Sequence, residues 1–140
     1  MSEIAGCASC GARVRVPAAA EGKPRCPVCK AALPWVAAAD DTDFATVADS
    51  SRVPVLVDLW AAWCAPCRTL SPLLERLAAE RPGRLKLVKV NVDHAPRTQA
   101  AFGVQAIPTL VLLNGGREVS RQTGALPLAA LRAWVDASLG

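Results

Sequence analysis

Most of the chemistry open to this 140-residue chain lies in six cysteines, arranged as three Cys-x-x-Cys pairs. Cys7 and Cys10 are followed, after fifteen residues, by Cys26 and Cys29, whereas Cys64 and Cys67 stand alone near the middle. Two pairs at the first separation match a four-thiolate zinc site, each knuckle presenting two sulfurs from one turn and the intervening hairpin bringing the knuckles together. A pair of local disulfides or a second redox dithiol would use the same residues. A segment this small cannot fold on its apolar content, and a bound Zn²⁺ would supply the missing stability. The isolated pair could be half of a metal site, two small buried residues, or a dithiol that cycles. Its flanks separate these readings.

Val55-Leu56-Val57-Asp58-Leu59-Trp60 is a short, nearly continuous apolar run, the pattern of a strand buried on both faces. After the turn at Cys64, the residues Leu70, Leu73, Leu74, Leu77 and Ala78 recur at helical spacing, with Arg68, Ser71, Glu75 and Arg76 on the other face. Pro66 suits the first turn of that helix and Pro82-Gly83 ends it. Cys64 therefore sits where unpaired N–H groups and the helix dipole stabilise a thiolate, lowering its pKa from about 8.5 toward about 7 or below. This makes Cys64 the nucleophile. Cys67, one helical step on and turned inward, becomes the resolving thiol that attacks the mixed disulfide. Asp58 is an acid inside an apolar strand, a costly placement unless the carboxyl has work to do. Burial would raise its pKa above about 3.9 and suit it to take a proton from Cys67, directly or through water. An Asp on an exposed strand face is the plainer alternative.

Strand and helix patterns alternate beyond residue 34 in the order β-α-β-α-β-α-β-β-α, an α/β class with a mixed sheet flanked by helices. Leu85 to Val92 is a second β-rich run, Pro96 to Phe102 a short helix, and Thr109 to Leu113 and Arg117 to Gln122 a hairpin around Asn114-Gly115-Gly116. A last helix aligns Leu128, Leu131, Val135 and Leu139. Residues 1–34 form a small four-cysteine zinc-binding module, with Val14 and Val16 marking a short hairpin strand, and residues 35–140 the larger domain. Lys89 lies within an apolar strand, where a solvated lysine is common, and His94, in a turn after Asp93, is expected on the surface.

Composition narrows the function classes. The net charge is +4, and residues 1 to 39 hold five Lys/Arg against two Glu, which four zinc thiolates would reduce from +3 to about +1. A phosphate-binding patch is not expected, so neither is nucleic acid as a partner. The most apolar window, residues 53 to 66, is interrupted by Asp58 and too short to span a bilayer, so no membrane role is expected. Met1 to Gly6 carries no basic stretch followed by an apolar run, which points to the cytoplasm. In that reducing compartment paired cysteines serve as metal ligands or catalytic thiols.

The stretch from Val57 through Trp63, Cys64, Ala65, Pro66 and Cys67 resembles the active site of thioredoxins. The likeness continues at Lys89-Val90-Asn91-Val92-Asp93, at Gly103 to Leu110 and at Gly124-Ala125-Leu126, and covers residues 40 to 140. With the N-terminal cysteine pairs, the chain resembles most the zinc-containing branch usually called thioredoxin 2. The resemblance implies a thioredoxin fold with a zinc-ribbon-like module. It also implies protein disulfide reduction by a monomer, recycled by an NADPH-dependent thioredoxin reductase, with disulfide-containing proteins as substrates and no organic cofactor. It makes Pro108 a cis-proline facing the sulfurs, where composition alone would allow an ordinary loop proline, and it makes Trp63, Ile107 and Gly124 part of the docking surface. Lys89 becomes the lysine beside the buried aspartate. Ala65-Pro66 stands where thioredoxins usually have Gly-Pro. Pro66 keeps the reducing-type motif, with a potential near about −270 mV expected, and Ala65 is expected to alter potential or substrate approach modestly. A zinc-ribbon binding or redox-sensing module with the larger domain as scaffold is the alternative; a secreted oxidase would need a signal peptide and a less reducing dipeptide.

Overall fold

The computed structural model describes residues 2–20 and 22–139; Met1, Glu21 and Gly140, among them the outermost positions of the two expected segments, lie outside these. The front of the chain pairs β1 (Ser2–Gly6) with β2 (Arg13–Pro17) in an antiparallel ribbon. β2 is the strand expected from Val14 and Val16, but its partner precedes the first cysteine pair instead of lying between the pairs. The reason is local. Gly11, at φ 77°, turns the chain back immediately after Cys10 and donates its N–H to the Cys7 carbonyl at 2.8 Å, so the chain returns alongside the segment it came from.

The larger sheet is built from β3 (Trp35–Ala38), β4 (Val55–Trp60), β5 (Lys86–Asn91), β6 (Thr109–Asn114) and β7 (Arg117–Thr123), in the order β3-β5-β4-β6-β7. β3, β5 and β4 run parallel, while β6 and β7 are antiparallel, which gives the expected mixed sheet. Gly115 and Gly116, at φ 62° and 79°, make the two-residue turn between β6 and β7. Three helices complete the fold: α1 (Ala65–Ala79), α2 (Pro96–Phe102) and α3 (Leu128–Leu139).

The expected helix between β3 and β4 is reduced to one wide helical turn, Ala45–Asp49. Side-chain contacts close both ends of this segment. The Asp40 carboxylate accepts from Thr42 N–H at 2.8 Å, Asp43 from Asp40 N–H at 2.9 Å, and Ser51 Oγ donates to the Val53 carbonyl at 2.8 Å.

Alternate residues of the sheet feed two cores. Val55, Val57, Leu59, Val88, Val90, Val111 and Leu113 fill one face; Leu56, Leu87, Leu110 and Leu112 pack on the other against Leu70, Leu74 and Leu77 of α1 and Leu131 and Val135 of α3. Each leucine buried in this way contributes about 1.5–3 kcal/mol. A third cluster joins Cys7, Val16, Cys26 and Leu33 to Trp35 and Val53 of the larger domain. Two paired residues fasten the same seam: Trp35 Nε1 donates to the Pro17 carbonyl at 2.9 Å, and Lys86, its neighbour across β3 and β5, donates to the Ala18 and Val47 carbonyls with its Nζ 3.9 Å from the Trp35 ring centre.

Candidate active site

β4 ends at Trp60, and four residues later Cys64 occupies the cap position of α1. Helix caps are ordinarily oxygen acceptors; here the acceptor is Cys64 Sγ, which takes the Cys67 N–H at 3.2 Å. Cys64 and Cys67 are joined as a disulfide, their Cα atoms 5.3 Å apart, and both are buried. Any negative charge released onto Cys64 is met by this N–H and by the positive end of α1. Ala65 and Pro66 form the exposed first turn, where the missing proline N–H removes nothing from the helix ladder.

Three loops surround the sulfurs. The Ile107–Pro108 bond is cis, and the Ile107 carbonyl oxygen lies 3.9 Å from Cys64 Sγ. Gly124, at φ 93°, donates its N–H to the Pro108 carbonyl at 2.8 Å, tying the third loop to the second. Trp63 is 66% exposed, yet its indole N–H is held by Asp93 at 3.1 Å. A large aromatic surface thus stands fixed beside a dithiol, ringed by half-buried Ile107 and Gly124.

Behind Cys67 lies a cavity of about 150 Å³ lined by Asp58, Trp60, Cys67, Arg68, Ser71 and Lys89. Asp58 is 2% exposed, and its Oδ1, like the Trp60 indole nitrogen, has no hydrogen-bond partner. Both residues line a space large enough for water. Burial pushes the Asp58 carboxyl from 3.8 up to about 6, with the Lys89 charge pulling it down and the Glu75 charge pushing it up. Lys89 sits beside Asp58 across the β4–β5 pairing, as the resemblance implies. Its ammonium, however, turns to α1, donating to Ser71 Oγ and lying 3.6 Å from Glu75 Oε1. His94 is exposed.

The family model for thioredoxin matches residues 35–137. The chain is 45% identical over 97 residues to a thioredoxin of Haemophilus influenzae, covering 69% of this chain and 91% of that protein. It is 40% identical over 139 residues to thioredoxin C-3 of Corynebacterium nephridii, covering 95% of this chain and 93% of that protein. Thioredoxin 2 of Chlorobaculum tepidum is 40% identical over 103 residues, 73% of this chain and 94% of that protein. The chain belongs to the thioredoxin family. It is a thiol-disulfide oxidoreductase, and its Cys64–Cys67 pair is the redox disulfide of a thioredoxin fold.

The four remaining cysteines of this thioredoxin-family chain gather at the other cluster. The Sγ atoms of Cys7, Cys10, Cys26 and Cys29 all lie within 4.8 Å of one another, with Cys7–Cys29 at 3.5 Å and Cys10–Cys26 at 3.6 Å. Tetrahedral bonds of about 2.3 Å from Zn²⁺ place sulfurs about 3.8 Å apart, so the cluster could hold the metal that its spacing suggests. The knuckles are built alike: Cys7 and Cys26 donate their N–H groups to Ala12 and Ala31, and Gly11 and Lys30 donate back to the two cysteine carbonyls, all at 2.8 Å. The Cys7 thiol is held down at about 6, chiefly by the Cys10 N–H and further by Ser9, against the opposing effect of burial. Against the Ala12 N–H, burial and the neighbouring Cys26, Cys29 and Cys7 sulfurs push the Cys10 thiol up to about 12, so that without a metal the sulfurs share their protons. Thiolate is the form a metal requires.

Three residues with structural work to do were not singled out from the sequence. Ser71 and Glu75 belong to the expected polar face of α1, and only the docking of that helix on β5 shows that they reach Lys89. Lys86 is 1% exposed inside an apolar strand. The rule that singled out Asp58, a charge within an apolar run, would have found it.

Proposed function

We propose that this chain is a protein disulfide reductase. The observation that carries this reading is the Cys64 sulfur, which caps α1 while lying within reach of a substrate held along Trp63, Ala65, Pro66, Ile107, Pro108 and Gly124. In the reduced form, the Cys64 thiolate attacks one sulfur of a substrate disulfide. A Cys64–substrate disulfide forms, and the second substrate sulfur leaves as a thiolate. Cys67 then gives its proton to Asp58 through the shared cavity and attacks Cys64 Sγ. The Cys64–Cys67 disulfide forms, the first substrate sulfur leaves, and two electrons have passed to the substrate.

The oxidised pair is recycled by an NADPH-dependent thioredoxin reductase, with electron transport to protein disulfides in the cytoplasm as the working cycle. The chain carries no organic cofactor, acts as a monomer, and takes neither nucleic acid nor membranes as partners. Among the described residues no helix is long and apolar enough to cross a membrane. Residues 1–34 act as a module in which Cys7, Cys10, Cys26 and Cys29 would hold one zinc ion, and residues 35–140 act as the redox domain. When bound, the metal would supply folding stability to the module, in a structural or a regulatory role.

The test is insulin disulfide reduction with NADPH and thioredoxin reductase, measured beside zinc content. The wild-type chain turns over, Cys64→Ser is inactive and Cys7→Ser keeps turnover. An intact, zinc-loaded chain without activity overturns the proposal.

A further inference from the structure

The cavity behind Cys67 contains an arrangement that the reductase reading does not use. Lys89 and Asp58 are neighbours in adjacent strands, and opposite charges in such a buried place would ordinarily close on one another. They do not. Asp58 Oδ1 is without a partner, and the only ion pair of Lys89 among the described residues is with Glu75, at 3.6 Å. Ser71 Oγ accepts a second contact from the same ammonium. Ser71 and Glu75 lie four residues apart on α1, hence on one face, one turn and two turns beyond Cys67. Ser71 lines the cavity and Glu75 lies exposed one turn beyond it, so the Lys89 ammonium is held along α1 from the cavity wall outward.

The other charged groups here are committed. Arg68, also on α1, lines the cavity but donates to the Ala62 carbonyl at 2.8 Å. β4 contributes only Asp58 itself, and the reactive thiol of Cys67 is the remaining titratable neighbour.

We propose that Ser71 and Glu75 are positioning residues that hold the Lys89 ammonium away from the Asp58 carboxyl, and so set how readily Asp58 takes the Cys67 proton. The second half rests on the reading of Asp58 as proton acceptor; the first does not. An ammonium closing on the carboxylate would stabilise its charge and make it a weaker base. Held on α1, the same ammonium leaves Asp58 a carboxylate that keeps its affinity for a proton near neutral pH. The control lies in Ser71 at the cavity wall and in exposed Glu75, rather than in the dithiol itself.

The test uses the full oxidised chain labelled at its aspartate carboxyl carbons, with the Asp58 signal followed by NMR between pH 4 and pH 9. Ser71→Ala/Glu75→Gln lets Lys89 swing inward, and the Asp58 midpoint falls by about half a pH unit or more. In a Lys89→Met background the double substitution removes only the Glu75 charge, and the midpoint falls by distinctly less. Ser71→Ala alone lowers the midpoint with Lys89 present and leaves it in place in the Lys89→Met background. Equal shifts in the two backgrounds, or no shift with Lys89 present, overturn the proposal. The pH dependence of insulin reduction separates the two halves. If the acidic limb of the rate follows the NMR midpoint, the acceptor role of Asp58 stands. If the midpoint moves and the limb does not, the acceptor reading fails while the placement of the ammonium survives.

Discussion

Replacing Asp58 by Asn should stabilise the protein and impair it together. The carboxyl is 2% exposed and titrates at about 6 rather than 3.8, because burial opposes its charge. A difference of about 2.2 pH units at about 1.36 kcal/mol each amounts to about 3 kcal/mol. The sign follows from proton counting. Between pH 3.8 and about 6 the native state holds the proton that the unfolded state has lost, so stability falls as pH rises through this window. Below it the penalty is absent, and above it the penalty is complete. Asn never ionises and never incurs it, and the cavity leaves its amide room for water. Urea unfolding of the oxidised proteins, in which Cys64 and Cys67 do not titrate, should give near-equal stabilities at pH 4 and a gap widening to about 3 kcal/mol at pH 7, a Tm rise on the order of 10 °C. On the proposed acceptor role of Asp58, the same substitution should slow insulin reduction at pH 7 by about 10-fold or more. Wild-type turnover should decline below about pH 6, where Asp58 is already protonated. A stability gap that is flat from pH 4 to pH 8, or an Asn variant less stable at pH 7, would refute the reasoning.

Lys86→Met leaves the Ala18 and Val47 carbonyls without their shared donor, a loss of about 1.5–3 kcal/mol for each charged hydrogen bond. This is offset by relief of a buried charge whose pKa has been pushed from 10.5 down to about 8. Net destabilisation of about 1–2 kcal/mol is expected at pH 7 by urea unfolding. Because the native state releases this proton first, wild-type stability gains a rising contribution between pH 8 and pH 10.5 that the Met variant lacks; parallel profiles count against this. Cys26→Ser, or exposure to a strong zinc chelator, should abolish zinc binding measured by a colorimetric assay while insulin reduction stays within about two-fold, since structural metal contributes to folding rather than to exchange. Gly116→Val would set a Cβ 3.0 Å from the Asp49 carbonyl oxygen and force a side chain to φ 79°, costing about 1–2 kcal/mol or more in thermal unfolding without changing the dithiol.

What could be read from the sequence depended on whether a residue's partners are near in the chain. The β4–Cys64–α1 unit is legible because an apolar run, a Cys-x-x-Cys and a three-four leucine repeat follow one another without interruption. The β6–β7 hairpin is legible because only glycine tolerates two consecutive positive φ values at no cost. β1 carries no strand pattern of its own and takes its structure from pairing with β2. Lys86 and Lys89, three residues apart on one strand, point to opposite faces, one to the seam with the cysteine module and the other to α1. Their side chains are separated by the whole sheet, and nothing local announces that each finds a different set of partners.

The three Cys-x-x-Cys pairs show how little the motif itself decides. Four residues after the first cysteine, the two N-terminal segments and the central one diverge. At Gly11 and Lys30 the backbone enters the left-handed region, φ 77° and 68°, and turns back, so that both sulfurs of each pair are left at a knuckle facing the other pair. At Arg68 the backbone stays helical, the chain advances along α1, and Cys67 is carried inward to a cavity with an ionisable acid. A knuckle leaves its sulfurs convergent, which suits a metal; a helix start separates them in role, one capping the dipole and one carried on along the helix, which suits a nucleophile and its resolving partner. Lys30 is the only non-glycine with positive φ among the described residues. Its ammonium donates to the Pro27 carbonyl at 3.3 Å within the same knuckle, and Arg25 donates to the Lys30 carbonyl at 3.4 Å, contacts that offset part of the left-handed cost of about 1–2 kcal/mol. The division between a cluster that could hold a metal and a redox pair therefore rests on the backbone just after each motif rather than on the cysteines.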